Sequence, residues 1–291
     1  MTEWKKVEIN SKQYPKRLKK LKDPPKVIYY QGEWREELFE NCLAVVGSRR
    51  MTDYGRIVLE RLIPPLVRAG ITIVSGFMYG VDATAHQLCL DSGGRTIAVL
   101  GCGLNHTVPD DQKELRQAIV DQGGLIISEL PPDHKAFPWT FVRRNRIIAG
   151  LSQAVLVIEA GLKSGALITA RRAFELNRPV FAVPGPITSG ASAGCNWLIQ
   201  QGARLVVEGE DILGILKCQI SNDQLLIKSP MTNAQLSPLG KKIVQLLAET
   251  SRTADELARE LGQPVAMITS ELTLMSLQGL IQEMGGKWIK N

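Results

Sequence analysis

Residues 43–76, LAVVGSRRMTDYGRIVLERLIPPLVRAGITIVSG, contain the pattern from which the class of fold is predicted. It contains two short runs of β-branched and other apolar residues, at 43–46 and 71–74. The segment between the two runs has the length and pattern of a helix. Both runs are continuously apolar, as in parallel strands that are buried on both faces. A strand, a helix and a second strand in this order predict a doubly wound α/β sheet.

The same alternation continues toward the C-terminus. Further apolar runs, predicted to be strands, cover residues 96–100, 125–127, 154–158, 180–183 and 205–207. Predicted helices cover residues 54–69, 81–92, 112–122, 164–176 and 210–217. Pro64 and Pro65 are predicted to kink the first helix or to end it early, because proline removes a helical hydrogen bond and clashes with the preceding turn.

Three further segments flank this pattern, which spans residues 41–217. Residues 1–40 are basic and contain three turn-forming prolines, and we expect them to pack on the core. The polar residues 218–236 are predicted to be a linker. Residues 237–291 predict a small winged-helix domain. It would contain helices over 237–248, 253–261 and 265–278, a Thr253–Glu256 capping box, and a hairpin turn at Gly285-Gly286.

Composition excludes several classes of protein. The chain has 291 residues, 44% hydrophobic and 22% charged, and no apolar run approaches the ~18–20 residues of a membrane span. The N-terminal segment has neither the apolar core nor the cleavage site of a secretory signal. The five cysteines are widely spaced without a CxxC motif, which argues against a disulfide framework and against a thiolate zinc site. These features predict a cytoplasmic protein without a membrane partner.

The positive charge is unevenly distributed. The net charge is +6, whereas residues 237–291 carry six basic and six acidic side chains and are neutral. An excess of this size suits a polyanionic partner if the basic residues cluster in space. A solvated surface that aids solubility is the alternative.

Glycines and cations follow two of the predicted strands. The first group is Gly47-Ser48-Arg49, followed by Arg50, and the second is Lys163-Ser164-Gly165. Small residues let backbone N–H groups approach an anion, and the following helix contributes the positive end of its dipole. The pattern predicts phosphate binding at the carboxyl ends of the strands. Close packing of strand against helix also requires glycine and is the alternative.

The densest basic cluster is Arg143-Arg144-Asn145-Arg146, which follows three aromatic residues, Phe137, Trp139 and Phe141. Rings beside arginines are typical of single-stranded nucleic acid binding, since bases stack on the rings and phosphates pair with guanidinium groups. Alternatively, Phe137 and Trp139 belong to the core and some of the arginines pair with nearby carboxylates such as Glu159.

Motifs for other chemistry are missing or incomplete. The chain has no GxxxxGK[ST] phosphate loop and no GxGxxG after its first strand. Residues 190–194, GASAG, match the GxSxG nucleophile motif. However, a Pro-Gly loop precedes them, and no histidine follows His134 to complete a triad. A glycine-rich loop is therefore the better interpretation.

Long segments resemble one family. These are VVGSRRMTDYG (45–55), SGFMYGVDATAH (75–86), GCGLNHTVP (101–109) and residues 128–185, which contain RNRIIAGLS. Over about residues 12–216 the chain resembles the DNA-processing protein A family, DprA/Smf, and its tail resembles the winged-helix domain of many members. The resemblance implies an extended Rossmann-like fold, doubly wound and mostly parallel, that binds single-stranded DNA without a cofactor.

The resemblance also implies a role and a site. Family members protect incoming strands in natural transformation, help to load RecA recombinase, act as dimers and are not known as enzymes. By this resemblance Arg49 contacts DNA, Phe141 contacts a base, and Lys163 is the basic residue before Ser-Gly. The full set of expected DNA-binding residues is Gly47, Ser48, Arg49, Lys113, Phe141, Arg143, Arg144, Arg146, Lys163, Ser164 and Gly165. The alternative for Arg146 is that its side chain faces the interior of the protein and does not contact DNA.

Three departures from the family pattern affect the expected site. Phe141-Val142 replaces the usual aromatic–proline pair. Val108-Pro109 replaces Tyr-Pro, with Asp110-Asp111 where a lysine is common, which leaves Lys113 as the nearest substitute. Phe77, Met78 and Tyr79 replace small residues, and they either add a stacking surface or narrow the pocket. The alternative function is a nucleotide-derivative hydrolase of the LOG-like Rossmann class, whose PGGxGT-type loop is missing at residues 159–165.

Overall fold

The computed structural model describes residues 3–106, 109–216, 237–277, 281–284 and 286–290. The chain divides into two compact units, Met1–Ser221 and Asn222–Asn291. The predicted linker, residues 218–236, lies outside the described residues. No helix in the described ranges is long and apolar enough to cross a membrane.

The described part of the N-terminal unit forms a nine-stranded sheet. Its strands are β1 (Lys5–Glu8), β2 (Val27–Gly32), β3 (Cys42–Val46), β4 (Thr72–Ser75), β5 (Thr96–Val99), β6 (Leu125–Ser128), β7 (Ala154–Val157), β8 (Val180–Ala182) and β9 (Arg204–Leu205). Their order is β1-β2-β6-β5-β4-β3-β7-β8-β9. All pairs from β6 to β9 are parallel, whereas β1–β2 and β2–β6 are antiparallel. The expected mostly parallel sheet is confirmed.

Helices cover both faces of this sheet. They are α1 (Asp53–Arg68), α2 (Val81–Asp91), α3 (Lys113–Asp121), α4 (Pro138–Leu151), α5 (Ala166–Glu175) and α6 (Ala193–Gln200), followed by α7 over residues 209–216. Neighbouring residues of β3 show the two layers. Ala44 belongs to the apolar cluster that contains Ile148 of α4, and Val45 to the cluster that contains Leu59 of α1. The sheet is therefore doubly wound.

Several local features differ from the sequence-based expectations. The expectation that the prolines would end α1 early is wrong, because the helix continues through Pro64 and Pro65 to Arg68. Neither α4 nor α6 was among the predicted helices. The N-terminal segment does more than pack on the core, because its strand β2 extends the sheet next to β6, where Tyr30 pairs with Ile127.

The C-terminal unit has the predicted helices and hairpin. Its elements are α8 (Pro238–Glu249), α9 (Ala254–Leu261), α10 (Val265–Leu277), β10 (Ile281–Met284) and β11 (Lys287–Lys290). The capping box at the start of α9 is present: the Glu256 carboxylate accepts a hydrogen bond from Thr253 N at 2.7 Å, and Thr253 Oγ1 accepts one from Glu256 N at 3.2 Å. A bridge between Arg252 and Trp288 attaches the hairpin to the loop before α9. This is a winged helix.

The connections of the sheet define a place for a ligand. From β3 the chain proceeds outward through β4, β5 and β6, and it returns through α4 to β7, on the other side of β3. The loops that leave β3 and β7 therefore diverge. In open α/β sheets a crevice forms at this switch point, beyond the carboxyl ends of the strands.

Candidate functional site

A cavity of about 640 Å³ occupies the switch point. Its walls come from the loop after β3, the start of α2, the first turns of α4, and the loop between β7 and α5. It brings together eight of the eleven residues predicted from the sequence: Gly47, Ser48, Arg49, Phe141, Arg144, Lys163, Ser164 and Gly165.

The loop after β3 is held close to its neighbours. Ser48 N donates a hydrogen bond to Glu159 O at 2.7 Å, which joins the loop to the end of β7. A Cβ atom on Gly47 would lie 2.5 Å from Val81 Cγ2, so only glycine fits there. Gly80 has a φ of +72°, and a Cβ on it would lie 2.3 Å from Ser48 O. Packing thus requires glycine at position 47 in the loop after β3, and packing and backbone conformation require it at position 80, immediately before α2.

Gly165, in the loop after β7, has a different environment. Its φ is not positive, and a Cβ on it would meet no atom within 4 Å. Packing therefore does not require a glycine at this position, and the open space above it belongs to the cavity. Asn145 Nδ2 donates to Gly165 O at 3.3 Å, so α4 supports this loop from below.

Among the described residues, no carboxylate forms an ion pair with the exposed cations of the site, although the charge of Arg49 opposes the rise in the pKa of Asp82. Arg49, Arg50 and Lys163 are exposed, and none of them forms an ion pair with another described residue. The Arg49 guanidinium lies over the Phe141 ring, with its carbon 5.3 Å from the ring centroid. The ring packs on Gly101, where a Cβ would lie 2.6 Å from Phe141 Cδ1. The ring therefore positions the arginine side chain at the cavity.

Arg144 is a buried cation in the cavity wall. Only 5% of the residue is exposed, and its guanidinium donates a hydrogen bond to Val99 O at the end of β5. Burial lowers its pKa to about 10, against the opposing attraction of Asp82. Burial raises the pKa of Asp82 itself to about 6, and the nearby Arg144 opposes this rise. Both side chains pack against Gly76, where a Cβ would overlap them.

Three predicted site residues do not line the cavity. Arg146 forms an ion pair with Glu129 at 2.6 Å, and the side chain of Arg146 is only 12% exposed. Arg143 is more exposed and lies 3.4 Å from the same carboxylate. Lys113, the first residue of α3, is exposed elsewhere on the surface. DNA contact by these three residues stays a prediction.

The structure decides between the alternatives for the aromatic residues and the arginines. Phe137 and Trp139 are exposed, so the expectation that they belong to the core is wrong. Arg143 and Arg146 form ion pairs with Glu129 and Asp23, and not with Glu159. The Glu159 carboxylate instead accepts hydrogen bonds from Thr52 N at 2.8 Å and from Thr52 Oγ1 at 2.6 Å.

The three departures from the family pattern have separate structural consequences. Phe77 is buried in the core, Met78 lines the cavity, and exposed Tyr79 donates a hydrogen bond to Asp111 at 2.9 Å. Val142 lines the cavity within the regular helix α4. Val108 lies outside the described residues.

Two residues of the cavity had no role in the sequence analysis. Asp82 lies in the first turn of α2, directly after the loop that follows β4, and Asn145 lies between the arginines of the basic cluster. The available signal was the glycine-containing loop before Asp82 and, for Asn145, its position between two predicted site residues. Among the residues that the structure describes, no group of histidine, cysteine and acidic side chains could hold a metal ion.

The fold and the site together define a Rossmann-like α/β protein with a cationic cavity at the switch point of its sheet, where backbone N–H groups and exposed basic side chains can receive phosphate groups. The chain belongs to the DNA recombination-mediator protein A family, whose family model matches residues 5–217. The model of the DprA winged helix domain matches residues 228–287.

Individual relatives agree with this assignment. The chain is 39% identical to Protein Smf of Escherichia coli, over 98% of this chain and 76% of the relative. It is similar to the structure of DNA processing protein A from Streptococcus pneumoniae, with 41% identity and a TM-score of 0.68 over 72% of this chain and 74% of that one. It is also similar to the structure of DNA processing protein A from Helicobacter pylori, with 32% identity and a TM-score of 0.66 over 74% of this chain and 96% of that one.

Proposed function

We propose that the protein binds single-stranded DNA, with phosphate groups held over the loops Gly47–Arg49 and Lys163–Gly165. The observation that carries this proposal is the pair of exposed cations, Arg49 and Lys163, that two adjacent strands bring to one glycine-lined cavity and that form no ion pair within the described part of the chain. The Helicobacter pylori relative was solved to explain its single-stranded DNA binding mode, which supports the same ligand here.

A base has a defined position in this arrangement. Phe141 lies in the cavity wall beneath Arg49, so one base can contact the ring while the adjacent phosphate pairs with the guanidinium group. Aromatic contacts of this kind tolerate any sequence, because every base has a π-face. The proposed recognition is therefore specific for single strands and nearly independent of sequence.

The wider role rests on the family. We propose that the protein acts as a recombination mediator in the cytoplasm, protects incoming strands in natural transformation and helps to load RecA recombinase. In this proposal it is a homodimer and not an enzyme. The alternative, hydrolysis of a nucleotide derivative, has little support, because the Glu159 carboxylate is engaged by Thr52 and does not line the cavity.

The test is a fluorescence anisotropy titration of labelled single-stranded and blunt duplex oligonucleotides across a salt series. Single strands are expected to bind well ahead of duplex, with a log–log salt slope of about −0.7 per phosphate neutralised. Arg49→Ala should weaken binding at least tenfold, because a charge-assisted hydrogen bond to phosphate contributes roughly 1.5–3 kcal/mol. Equal affinity for duplex would contradict the proposal.

The matched control is Arg61→Ala. Arg61 is an exposed arginine of α1 that does not line the cavity, so its removal changes the net charge equally. Its affinity for single strands should stay close to that of the parent. If Arg49→Ala and Arg61→Ala have equal effects, only the overall charge matters and the cavity is not the binding site.

A further inference from the structure

Three aromatic side chains form a cluster at the surface beside the cavity. We call His134, Phe137 and Trp139 the aromatic platform. The rings of Phe137 and Trp139 are nearly parallel, 8° apart, with centroids separated by 6.5 Å. His134 meets both rings edge-on, at 5.9 and 6.1 Å. Phe137 is 46% exposed and Trp139 is 51% exposed, so both keep about half of their surface in solvent.

The backbone beneath the platform is firmly held. Phe137 is the N-cap of α4, and its N–H donates to Thr140 Oγ1 at 3.2 Å. The Thr140 hydroxyl in turn bonds to Gly101 O at the end of β5. His134 O accepts a hydrogen bond from Gly103 N at 2.8 Å. Because these bonds fix the backbone before any ligand arrives, little conformational entropy remains to be lost on binding.

The platform is continuous with the proposed DNA site. Phe137 and Pro138 line the cavity, and Phe141 lies one helical turn further along α4 in the same wall. Trp139 is not among the lining residues and extends the aromatic surface outside the cavity. Lys135, between His134 and Phe137, is exposed and forms no ion pair with another described residue.

We infer that the aromatic platform is a second stacking site, which takes a base of single-stranded nucleic acid adjacent to the base that contacts Phe141. The inference rests on the proposed function. Flat rings with exposed faces, next to cations, suit a base with its phosphate better than they suit an apolar peptide, which would leave the cations without a partner. The platform lengthens the binding path from the cavity along the start of α4.

The experiment uses the full chain and a series of oligothymidylates of increasing length. The variants are Phe137→Ala and Trp139→Ala, with Trp139→Phe as the conservative variant. The control is Phe174→Ala, a partly exposed ring near the end of α5 that does not line the cavity. The measurements are affinity by anisotropy and quenching of tryptophan fluorescence.

Strands long enough to reach beyond the cavity should bind Phe137→Ala and Trp139→Ala about 5- to 150-fold more weakly, the range for loss of one stacked base. The shortest strands that still bind should be nearly unaffected by Trp139→Ala, because Trp139 does not line the cavity, and the salt slope should not change for either variant, because no charge is lost. Trp139→Phe should bind like the parent but lose part of the quenching. Phe174→Ala should behave like the parent.

The inference is overturned if both alanine variants bind strands of every length like the parent while Arg49→Ala is still impaired; the proposed function then stands without the platform. It is also overturned if the variants change only the oligomeric state, because the platform would then be a protein contact. Full affinity of Arg49→Ala would instead contradict the proposed function itself.

Discussion

At the scale of single residues, the basic cluster contains arginines in three different environments. Arg143 is half exposed, Arg144 is buried in the cavity wall, and Arg146 is paired with the nearly buried Glu129. Removing Arg144 would leave Val99 O without this donor, so its effect on binding would include the cost of disturbing the wall. The exposed Arg49 and Lys163 are the better probes of DNA contact.

Phe141→Ala should weaken single-strand binding by about 1–3 kcal/mol, since a stacked base loses its ring. Because the ring also holds the Arg49 guanidinium, the double variant with Arg49→Ala should lose less than the sum of the two single losses. Anisotropy titrations of the four proteins in this cycle measure the coupling. An additive double variant would show that the ring contributes to binding independently of Arg49, and a lower Tm with unchanged affinity would show that the ring is structural only.

Asp82 makes the proposed binding depend on pH. Burial raises its pKa to about 6, and a phosphate group bound in the same cavity would favour the neutral carboxyl further. Binding therefore takes up protons, and the affinity for single strands should rise as the pH falls toward about 6. If the bound phosphate raises the pKa of Asp82 by a further 1, binding at low pH becomes stronger by up to about tenfold. Titrations between about pH 8 and about pH 6 measure this dependence.

The control for this prediction is Asp82→Asn, which keeps the shape of the side chain and removes its charge. Its affinity should exceed that of the parent near pH 8, and the part of the pH dependence due to Asp82 should disappear. The substitution changes no other ionisable side chain, so the difference between the two pH profiles reports on Asp82. If the two proteins have the same pH profile, Asp82 does not sense the ligand.

At the scale of elements, α1 tolerates two consecutive prolines because of where they lie. The missing N–H groups of Pro64 and Pro65 would have bonded to the carbonyls of Glu60 and Arg61, four residues earlier, and both of these residues are exposed. Water can therefore satisfy the carbonyls. The apolar side of α1, with Leu59, Ile63 and Leu66, is fully buried and stabilises the helix on the sheet.

Pro64→Ala should raise the free energy of unfolding by about 1–3 kcal/mol, because a helical hydrogen bond is restored and a steric clash is removed. Pro65→Ala should gain less, since the Pro65 ring packs near Gly209, where a Cβ would lie 3.0 Å from Pro65 Cγ. Urea denaturation with an unchanged m-value measures both. A less stable Pro64→Ala variant would mean that the proline ring is needed for packing.

At the scale of the whole molecule, the composition of the winged-helix unit differs from that of a domain that recognises duplex DNA. The helical spacing of Val265, Ile268, Leu272 and Met275 in α10 predicts that they form a core stripe. Ile268, Leu272 and Met275 are buried in the core of this unit, whereas the prediction for Val265 is wrong, because it is 45% exposed. The hydroxyl of Thr269 donates to Val265 O, as Thr273 donates to Thr269 O. Hydroxyls engaged by their own helix are less available for base edges.

Residues 222–291 expressed alone should therefore not bind duplex DNA specifically at physiological salt, and we expect this unit to dock on a protein. Residues 1–221 should retain the single-strand affinity of the full chain. Anisotropy titrations of both fragments check the two statements. Sub-micromolar binding of the C-terminal fragment to a preferred duplex sequence would contradict the first, and loss of binding by the N-terminal fragment would contradict the second.

Local sequence patterns were sufficient to predict the class of fold and the two glycine–cation loops of the candidate site. Continuous apolar runs and glycine–cation loops are local patterns, and the order of strands and helices allows few arrangements. The environment of each charged or aromatic side chain became clear only from the three-dimensional packing: Arg144 is buried, Arg146 pairs with Glu129, and Phe137 and Trp139 are exposed. Burial and pairing depend on residues far away in the chain, so local patterns leave them open.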